Sequence, residues 1–257
     1  MKLFIFEGAK REPQVLNTLE KLFFNPKDTT QRIICCFNSN IYNLYQRYIQ
    51  YGNSADIVSV LREIMQGRED NPFTDDMLAS DFGEIYLFFD YDFHDKRFSI
   101  EEINRRISEM LKVFNNETDN GKLYISYPMI EALRYTKQLP DTNYINYIID
   151  RQTSHDFKKL AAEFSFYTDG WDFLTITKNT PIDKYDYIKE NWRLERLQNV
   201  KKANWLCNNI DALPVSHDDI AQDLIFKCQC DKYIIPALSV SILSAFALFL
   251  YDYSGNA

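Results

Sequence analysis

Short apolar runs alternate with longer amphipathic segments through the first half of the chain. Four of these runs have the length and composition of buried strands, at residues 3–6, 32–37, 85–89 and 122–125. The other segments place apolar residues at helical spacing, which predicts helices at residues 12–24, 41–51, 55–65, 99–114 and 127–137. Strands that alternate with helices are typical of a parallel sheet covered on both faces. The pattern therefore predicts an α/β fold with a mostly parallel four-stranded sheet flanked by helices.

Local signals refine the ends of these elements. Ser99 stands where the N-cap of a helix is expected, and Glu102 occupies the matching capping-box position. Residues 52–54 separate two of the helices, and residues 115–120 are typical of a turn. We therefore expect a capped helix and then a simple turn ahead of the fourth strand.

The second half of the chain has fewer strand signals. Residues 183–209 predict one long helix or two shorter ones, in which aromatic side chains are interleaved with basic ones. Acidic residues are mixed into the same stretch, so a solvated helix with an aromatic core face is favoured over a nucleic-acid-binding face. Pro140 marks a boundary. We therefore predict a first domain at residues 1–138 and a mainly helical C-terminal region at residues 139–257 that packs on it.

Residues 234–250 form an uncharged apolar stretch. The stretch contains Pro236 and several serines, and it is shorter than the roughly 20 residues that a membrane span requires. It therefore predicts a buried helix that closes the core, with no membrane association. Glu7 interrupts the first apolar run too early for a signal peptide, and the number of cysteines, five, is odd. Both features favour a cytoplasmic protein.

The formal net charge of the chain is −8, and 46% of its residues are hydrophobic. This composition is ordinary for a globular protein, whereas a freestanding nucleic-acid binder is usually basic. A local basic face or a partner subunit could still supply the positive field that a polyanion requires. The charge therefore lowers the expectation of nucleic-acid binding without excluding it.

Acidic residues stand where the apolar runs end. Glu7 follows the first run, Asp90 and Asp92 follow the third, and Glu131 lies one turn into the segment after the fourth. Parallel α/β sheets bind ligands outside the carboxyl ends of their strands, where acids are costly unless they are solvated, paired or bound to a cation. Carboxylates are common ligands of Mg²⁺. The sequence therefore predicts a Mg²⁺ or Mn²⁺ site at this edge of the sheet.

Further polar residues are candidates for the same site. Glu12 could bind a second metal ion or simply stabilise the start of a helix, and the same alternative applies to the acid after the fourth strand. Gly8 would let a phosphate approach the backbone. Lys10 and Arg11 are either phosphate clamps or solvated charges. His94 is either a proton shuttle or phosphate contact, or a surface-loop residue.

At these residues the chain resembles the Toprim domain, which carries Glu-Gly at the end of its first strand and Asp-x-Asp after its third. The matching residues here are Phe6-Glu7-Gly8 and Asp90-Tyr91-Asp92. The stretch Glu7-Gly8-Ala9-Lys10-Arg11-Glu12-Pro13 is similar to the Glu-Gly-x-x-x-Glu-Pro opening of RloB-like and OLD-family nucleases of bacterial anti-phage systems. Asp90-Tyr91-Asp92-Phe93-His94 looks like their Asp-x-Asp-x-His segment. Tyr127-Pro128-Met129-Ile130-Glu131 resembles their Asn-Pro-x-x-Glu element, with Tyr in place of Asn.

The resemblance covers residues 1–138 and implies metal-dependent cleavage or transfer at phosphodiesters. It also implies an effector of abortive infection that acts beside an ATPase partner. We therefore predict a Mg²⁺- or Mn²⁺-dependent nuclease whose catalytic residues are Glu7, Asp90, Asp92 and Glu131. Whether the substrate is DNA or RNA, including tRNA, is open, and so is the oligomeric state, with a homodimer among the options.

Two alternatives stay open. The same acids could serve a phosphotransfer enzyme that is not a nuclease. The chain could also be a non-catalytic sensor or regulatory subunit of an ATPase-containing defence complex, since acidic charge and many aromatic residues favour protein contacts.

Overall fold

The computed structural model describes residues 1–52 and 56–254. Residues 53–55, which include two of the three residues of the predicted 52–54 linker and the first residue of the predicted 55–65 helix, lie outside the described residues, as do residues 255–257. The strands of the first half are β1 (Lys2–Phe6), β2 (Arg32–Cys36), β3 (Glu84–Asp90), β4 (Asn115–Asn116) and β5 (Gly121–Ser126). Its helices are α1 (Arg11–Phe23), α2 (Ile41–Gln50), α3 (Ile57–Met65) and α4 (Ile100–Val113).

The five strands form one sheet in the order β2-β1-β3-β5-β4. β1 is parallel to β2 and β3, β3 is parallel to β5, and the short β4 is antiparallel to β5. The α/β class and the mostly parallel sheet flanked by helices are therefore confirmed. The sheet nevertheless has one strand more than the predicted four.

The additional strand replaces part of the turn predicted at residues 115–120. The two residues of β4 pair with Lys122 and Gly121, so the chain forms a hairpin directly after α4. Gly121 has a φ of +106°, and a Cβ at this position would stand 2.7 Å from Leu87 Cδ1. β5 can therefore begin beside β3 only with a glycine here, a requirement that the hydrophobic pattern does not reveal.

The start of α4 agrees with its predicted N-cap. Ser99 Oγ accepts a hydrogen bond from Glu102 N at 3.2 Å. The Glu102 carboxylate accepts hydrogen bonds from Arg105 and Arg106, at 2.8 and 2.7 Å, instead of completing the predicted capping box. The helix is therefore capped by the serine, while the glutamate stabilises its first turns through ion pairs.

The helix predicted at residues 127–137 is wrong in type and length. Only a 3₁₀ helix forms, at Ile130–Arg134. Pro128 restricts the residue before it to extended conformations, and Met129 is itself extended, with φ −158° and ψ 177°. Helical geometry therefore begins only after Met129, and Glu131 lies in the first turn of this short helix.

The second half is mainly helical, as predicted, with one small antiparallel pair of strands. Its helices are α5 (Phe157–Phe164), α6 (Tyr185–Asn208), α7 (Gln222–Gln229), α8 (Ile235–Ala237) and α9 (Ala245–Ser254). Its strands are β6 (Ile148–Asp150) and β7 (Ser239–Ser241). The long helix predicted at residues 183–209 is thus one continuous helix, α6.

The apolar segment at residues 234–250 is not the single helix that was predicted. It runs from the end of a π-helical turn at Cys230–Ile234 through α8 and β7 before α9 begins. Leu238 has a left-handed backbone, with a φ of +46°, which ends α8. The prediction of a buried closing helix therefore applies to α9 alone. None of the helices among the described residues has the length and apolar character of a membrane span.

Helix α9 covers one face of the sheet. Phe249 on α9 packs against Phe4, Phe88 and Tyr124, with ring centroids 6.2, 5.1 and 5.6 Å apart. Phe246 stacks on Phe88 at 4.5 Å. The strands read as continuous apolar runs because both faces of a sheet of this kind are covered. The C-terminal region therefore packs on the sheet, and the division of the chain into two domains stays a prediction.

Candidate active site

The central strands β1 and β3 end side by side at the carboxyl edge of the sheet. Phe6 is paired with Phe88, and the Glu7 amide donates a hydrogen bond to the Phe88 carbonyl at 3.2 Å. The chain passes from β1 to β2 on one side, while β3 lies on the other, so this edge is a topological switch point. Parallel α/β sheets bind ligands in the crevice at such points. Glu7 and the end of β3 therefore occupy the place expected of a ligand site.

Glu7 is held against the end of β3 by a hydrogen bond. Asp90 N donates to Glu7 Oε2 at 3.1 Å. Burial, and then the charges of Asp92 and Glu12, raise the pKa of the Glu7 carboxyl to about 8, and the hydrogen bond from Asp90 opposes this rise. Glu7 is thus fixed in position while its neighbours disfavour its negative charge.

Asp90 stands at the centre of an acidic cluster, which we define as Glu7, Glu12, Asp90, Asp92 and Glu131. Burial raises the pKa of the Asp90 carboxyl well above its ordinary value, and the charges of the other four acids raise it further. Such interactions weaken with distance, so the five acids lie in one region of the molecule. The fold therefore brings together all the acids that the sequence predicted for the site, from three separate segments.

Asp92 lies in a turn beyond β3 and not on the strand itself. Its backbone is left-handed, with a φ of +49°, a conformation that Asp adopts more readily than most residues. Tyr91 is buried between the two acids, and its amide donates to the Ser126 carbonyl at 3.0 Å. Burial raises the pKa of Asp92, and His94 opposes the rise. The turn, and not strand alternation, therefore sets the position of Asp92 relative to Asp90.

Glu12 and Gly8 are in close contact at the start of α1. Gly8 N donates a hydrogen bond to Glu12 Oε1 at 3.1 Å. A Cβ at Gly8 would stand 3.0 Å from both carboxylate oxygens of Glu12, so a larger residue would displace that carboxylate. The Gly8 amide, which the sequence placed next to a phosphate, therefore binds the buried Glu12 side chain in this structure.

Glu131 is buried in the short helix that follows β5. Its Oε1 lies 3.9 Å from Lys158 Nζ on α5. Burial raises the pKa of its carboxyl and the charge of Glu12 adds to the rise, while Lys158 and Arg134 oppose it. Glu131 and Glu12 therefore form the side of the acidic cluster that is nearest to positive charge.

The residues predicted to bind phosphate differ in their surroundings. His94 Nδ1 lies 3.9 Å from Asp92 Oδ1 and has no hydrogen-bond partner among the described residues. The Arg11 guanidinium stacks on the ring of Trp171, 4.7 Å from its centroid, and its charge interacts with the nearby acids of the cluster. Lys10 is exposed to solvent. His94 and Arg11 therefore border the acidic cluster on different sides.

Several residues near the site have no counterpart in the sequence analysis. The Arg134 guanidinium lies 5.6 Å from the centroid of the Trp171 ring, and the His155 ring lies 6.1 Å from that of His94. Trp171 and His155 lie far from the motifs along the chain, and only the fold brings them here. One feature of the sequence could have pointed to Arg134: it follows Glu131 by one helical turn and therefore lies on the same face of the helix.

An open cleft of about 1100 Å³ adjoins the acidic cluster at His94. Positive side chains line it, contributed by Lys96, Arg97 and Arg151, together with the ring of His155. Two aspartates also line it, so its charge is mixed. The cleft is large enough to accept a nucleotide-sized group next to His94.

Comparison of this chain with protein-family models, with curated proteins and with solved structures found no match. Among residues 1–52 and 56–254, no group of three or more His, Cys, Asp or Glu side chains is already arranged to hold a metal ion. The features that bear on function are therefore the acids at the carboxyl edge of the sheet, with His94 beside Asp92 and with Arg11 and Arg134 near Glu131.

Proposed function

We propose that this protein is a Toprim-like nuclease that cleaves phosphodiester bonds with the help of Mg²⁺ or Mn²⁺. The observation that carries the proposal is the contact between Glu7 and Asp90 at the carboxyl edge of the sheet, where Asp90 N donates to Glu7 Oε2 at 3.1 Å and burial and neighbouring acids raise the pKa of both carboxyls. Acids that repel one another in a half-buried region raise the free energy of the folded protein, and a divalent cation would offset that cost. The order of the three motifs along the chain supports the same proposal.

The donor atoms of the acidic cluster are of the kind that a hard divalent cation binds. All of them are carboxylate oxygens, which are the ligands that Mg²⁺ and Mn²⁺ prefer. Glu7, Asp90 and Asp92 would hold one ion, and Glu12 and Glu131 would hold a second. A bound ion of this kind stabilises charge on a phosphate and lowers the pKa of bound water.

The remaining residues of the site position the substrate and its protons. The hydrogen bond from Asp90 N keeps Glu7 Oε2 at the end of β3, so the carboxylate does not have to be ordered when the substrate binds. His94 Nδ1 has no hydrogen-bond partner among the described residues, so this side chain would contact a phosphate oxygen or relay a proton beside Asp92. Arg11 supplies positive charge on the side of Glu12.

The cellular role follows from the resemblance. We propose a toxic effector of an anti-phage system, which an ATPase partner holds inactive until infection. Exposed apolar side chains after α6, at Ile210, Leu213 and Val215, are compatible with a protein contact there. Co-purification with the product of an adjacent gene, and toxicity when the chain is expressed without that product, test this role.

A cleavage assay tests the nuclease activity. Purified protein is incubated with single-stranded DNA, duplex DNA or tRNA in Mg²⁺, Mn²⁺ or EDTA, and we expect cleavage of at least one substrate in metal and none in EDTA. Asp90→Asn and Glu7→Gln should each lower the rate roughly a hundredfold or more while the fold is kept. Asp183→Asn removes an exposed acid outside the site and should keep the wild-type rate.

Two results would decide against the proposal. Metal-dependent cleavage at the wild-type rate by both Asp90→Asn and Glu7→Gln would refute the assignment of the site. Hydrolysis of nucleoside triphosphates in the same assay, with all polynucleotides left intact, would favour the phosphotransfer alternative.

A further inference from the structure

Two guanidinium groups from different parts of the fold lie over the ring of Trp171. Arg11, at the start of α1, lies with its Cζ 4.7 Å from the centroid of the Trp171 ring, and Arg134, at the end of the short helix after β5, lies at 5.6 Å. The Trp171 side chain is 7% exposed. Stacking on an indole orients a guanidinium without using its N–H groups, which stay available for a ligand.

Arg134 is a buried cation with an unused hydrogen-bond donor. The residue is 8% exposed, and its Nε is buried without a hydrogen-bond partner among the described residues. Glu131, the nearest acid along the chain, forms its ion pair with Lys158 at 3.9 Å. A buried charged group without an acceptor is costly, and native structures rarely leave one unexplained.

Arg11 is satisfied only in part. One of its N–H groups donates to Gln14 Oε1 at 2.6 Å. Burial lowers the pKa of both arginines, and the nearby carboxylate of Glu131 opposes the change in each case. Glu131 thus interacts with both positive charges at a distance, and no ion pair to either guanidinium forms among the described residues.

We propose that Arg134 and Arg11, supported by Trp171, form a binding site for a phosphoryl oxyanion next to Glu12 and Glu131. This inference rests on the proposed function, because it assigns the site to a phosphate of the nucleic-acid strand adjacent to the bond that is cleaved. The guanidinium fork of Arg134 matches two oxygens of a phosphate, including a bond from the buried Nε. No carboxylate from residues 1–52 or 56–254 accepts a hydrogen bond from this Nε, so the proposed acceptor is the ligand.

The position of the site predicts coupling to cations. At present the negative charge of the acidic cluster offsets the two guanidiniums. A divalent cation on the cluster would cancel part of that negative charge, so a phosphate should bind more tightly to the arginines when the cation is present. Ca²⁺ can serve as the cation in binding measurements.

The test measures phosphate binding directly, through the NMR signal of the Trp171 indole. The chain has three tryptophans, so a protein labelled with ¹⁵N-Trp gives three indole signals, and Trp171→Phe identifies the one that matters. Inorganic phosphate, a 5′-phosphorylated dinucleotide and the same dinucleotide without its 5′-phosphate are titrated with EDTA and with Ca²⁺. We expect the Trp171 signal to shift with phosphate and the affinity to rise in Ca²⁺. Stronger binding of the 5′-phosphorylated probe identifies a terminal phosphate as the ligand, and equal binding identifies the internal diester.

Variants at Arg134 separate a binding role from a structural one. Arg134→Gln should weaken phosphate binding about tenfold to a hundredfold, which is the range for losing a charge-assisted hydrogen bond. Arg134→Lys keeps the charge without the fork and should give an intermediate affinity. The Arg134→Lys variant also provides the comparison with the wild type if Arg134→Gln does not fold. Lys178→Gln removes an exposed charge outside the site and should bind phosphate like the wild type.

The outcomes distinguish this inference from the nuclease proposal. Wild-type phosphate affinity in Arg134→Gln or Arg134→Lys, or a Trp171 signal that phosphate does not move, overturns the oxyanion site even when the wild type cleaves nucleic acid. Arg134-dependent phosphate binding by a wild-type protein that cleaves no substrate supports the oxyanion site and contradicts the nuclease instead.

Discussion

The backbone amide of Asp90 donates a hydrogen bond to Glu7 Oε2 across 3.1 Å and so joins the ends of β3 and β1. The bond gives Glu7 a fixed place although burial and two neighbouring acids disfavour its charge. The Glu7 carboxylate therefore has a defined position, although it repels the other carboxylates of the site. Cation binding, stability and pH dependence should consequently be linked at this edge of the sheet.

The stability of the metal-free protein should fall as the pH rises from about 4.5 to about 8. Folding raises the pKa of Glu7, so in this window the folded state binds more protons than the unfolded state. The stabilisation is complete below the unfolded pKa and is lost as the pH passes the folded one. For one such group the free energy of unfolding changes by at most roughly 1.4 kcal/mol per pH unit. Urea unfolding in EDTA at several pH values measures the slope.

Substitution identifies the group behind that slope. Glu7→Gln should make the slope shallower, because the variant has no carboxyl to titrate at this position, and saturating Mg²⁺ should do the same in the wild type. Asp183→Asn lies outside the acidic cluster and should keep the wild-type slope. An unchanged slope in Glu7→Gln would show that Glu7 is not the group that titrates.

Gly8→Ala should displace the Glu12 carboxylate, because the new Cβ would stand 3.0 Å from both of its oxygens. We expect weaker Mn²⁺ binding by calorimetry and slower cleavage. Gly83→Ala is the matched control, since a Cβ there meets nothing within 4 Å. Gly8→Ala should be less stable than Gly83→Ala by about 1–2 kcal/mol, because it strains the hydrogen bond between Gly8 N and Glu12, whereas both substitutions restrict the unfolded chain alike. Equal stability and equal Mn²⁺ affinity of the two variants would contradict the contact.

Phe249→Ala should destabilise the protein by about 3–5 kcal/mol, the usual cost of removing a large buried aromatic side chain. Phe249 is fully buried and packs on rings from several strands, including Phe4 and Phe88. Ile182→Ala, at a side chain that is 83% exposed, should change stability by less than about 0.5 kcal/mol. Urea unfolding measures both variants. A cost for Phe249→Ala as small as that for Ile182→Ala would show that α9 does not close the core.

A chain that ends at Asp231 should be insoluble. It lacks α9, so the sheet face that carries Phe4, Phe88 and Tyr124 would be open to water. The soluble fraction after expression, compared with that of the full chain, measures the effect. A soluble truncated protein with an unfolding transition like that of the full chain would contradict this view of α9.

The elements that the sequence predicts well depend on local signals. β1 and β3 are continuous apolar runs, and an acid follows the last apolar residue of each. The strand and its terminal acid can therefore be recognised from the same short stretch of sequence. Parallel strands present their carboxyl ends at one edge. For that reason Glu7 and Asp90 could be placed together from the sequence alone, although their roles stay predictions.

The elements that were wrong depend on single conformations or on distant contacts. Residues 127–137 have helical spacing, but Pro128 delays the helix until Ile130. Residues 234–250 are uncharged and mostly apolar, yet the left-handed Leu238 separates a helix from a strand. The contact between Arg134 and Trp171 joins segments that no local pattern relates. Such contacts are set by tertiary packing, which periodicity does not encode.

Anomalous diffraction from crystals soaked in Mn²⁺ tests the central claim most directly. We predict a manganese peak between the carboxylates of Glu7, Asp90 and Asp92 in the wild type, and its loss in Asp90→Asn crystals soaked in the same way. A wild-type map without a peak at these carboxylates, from crystals at a saturating Mn²⁺ concentration, would contradict the metal site and with it the nuclease proposal.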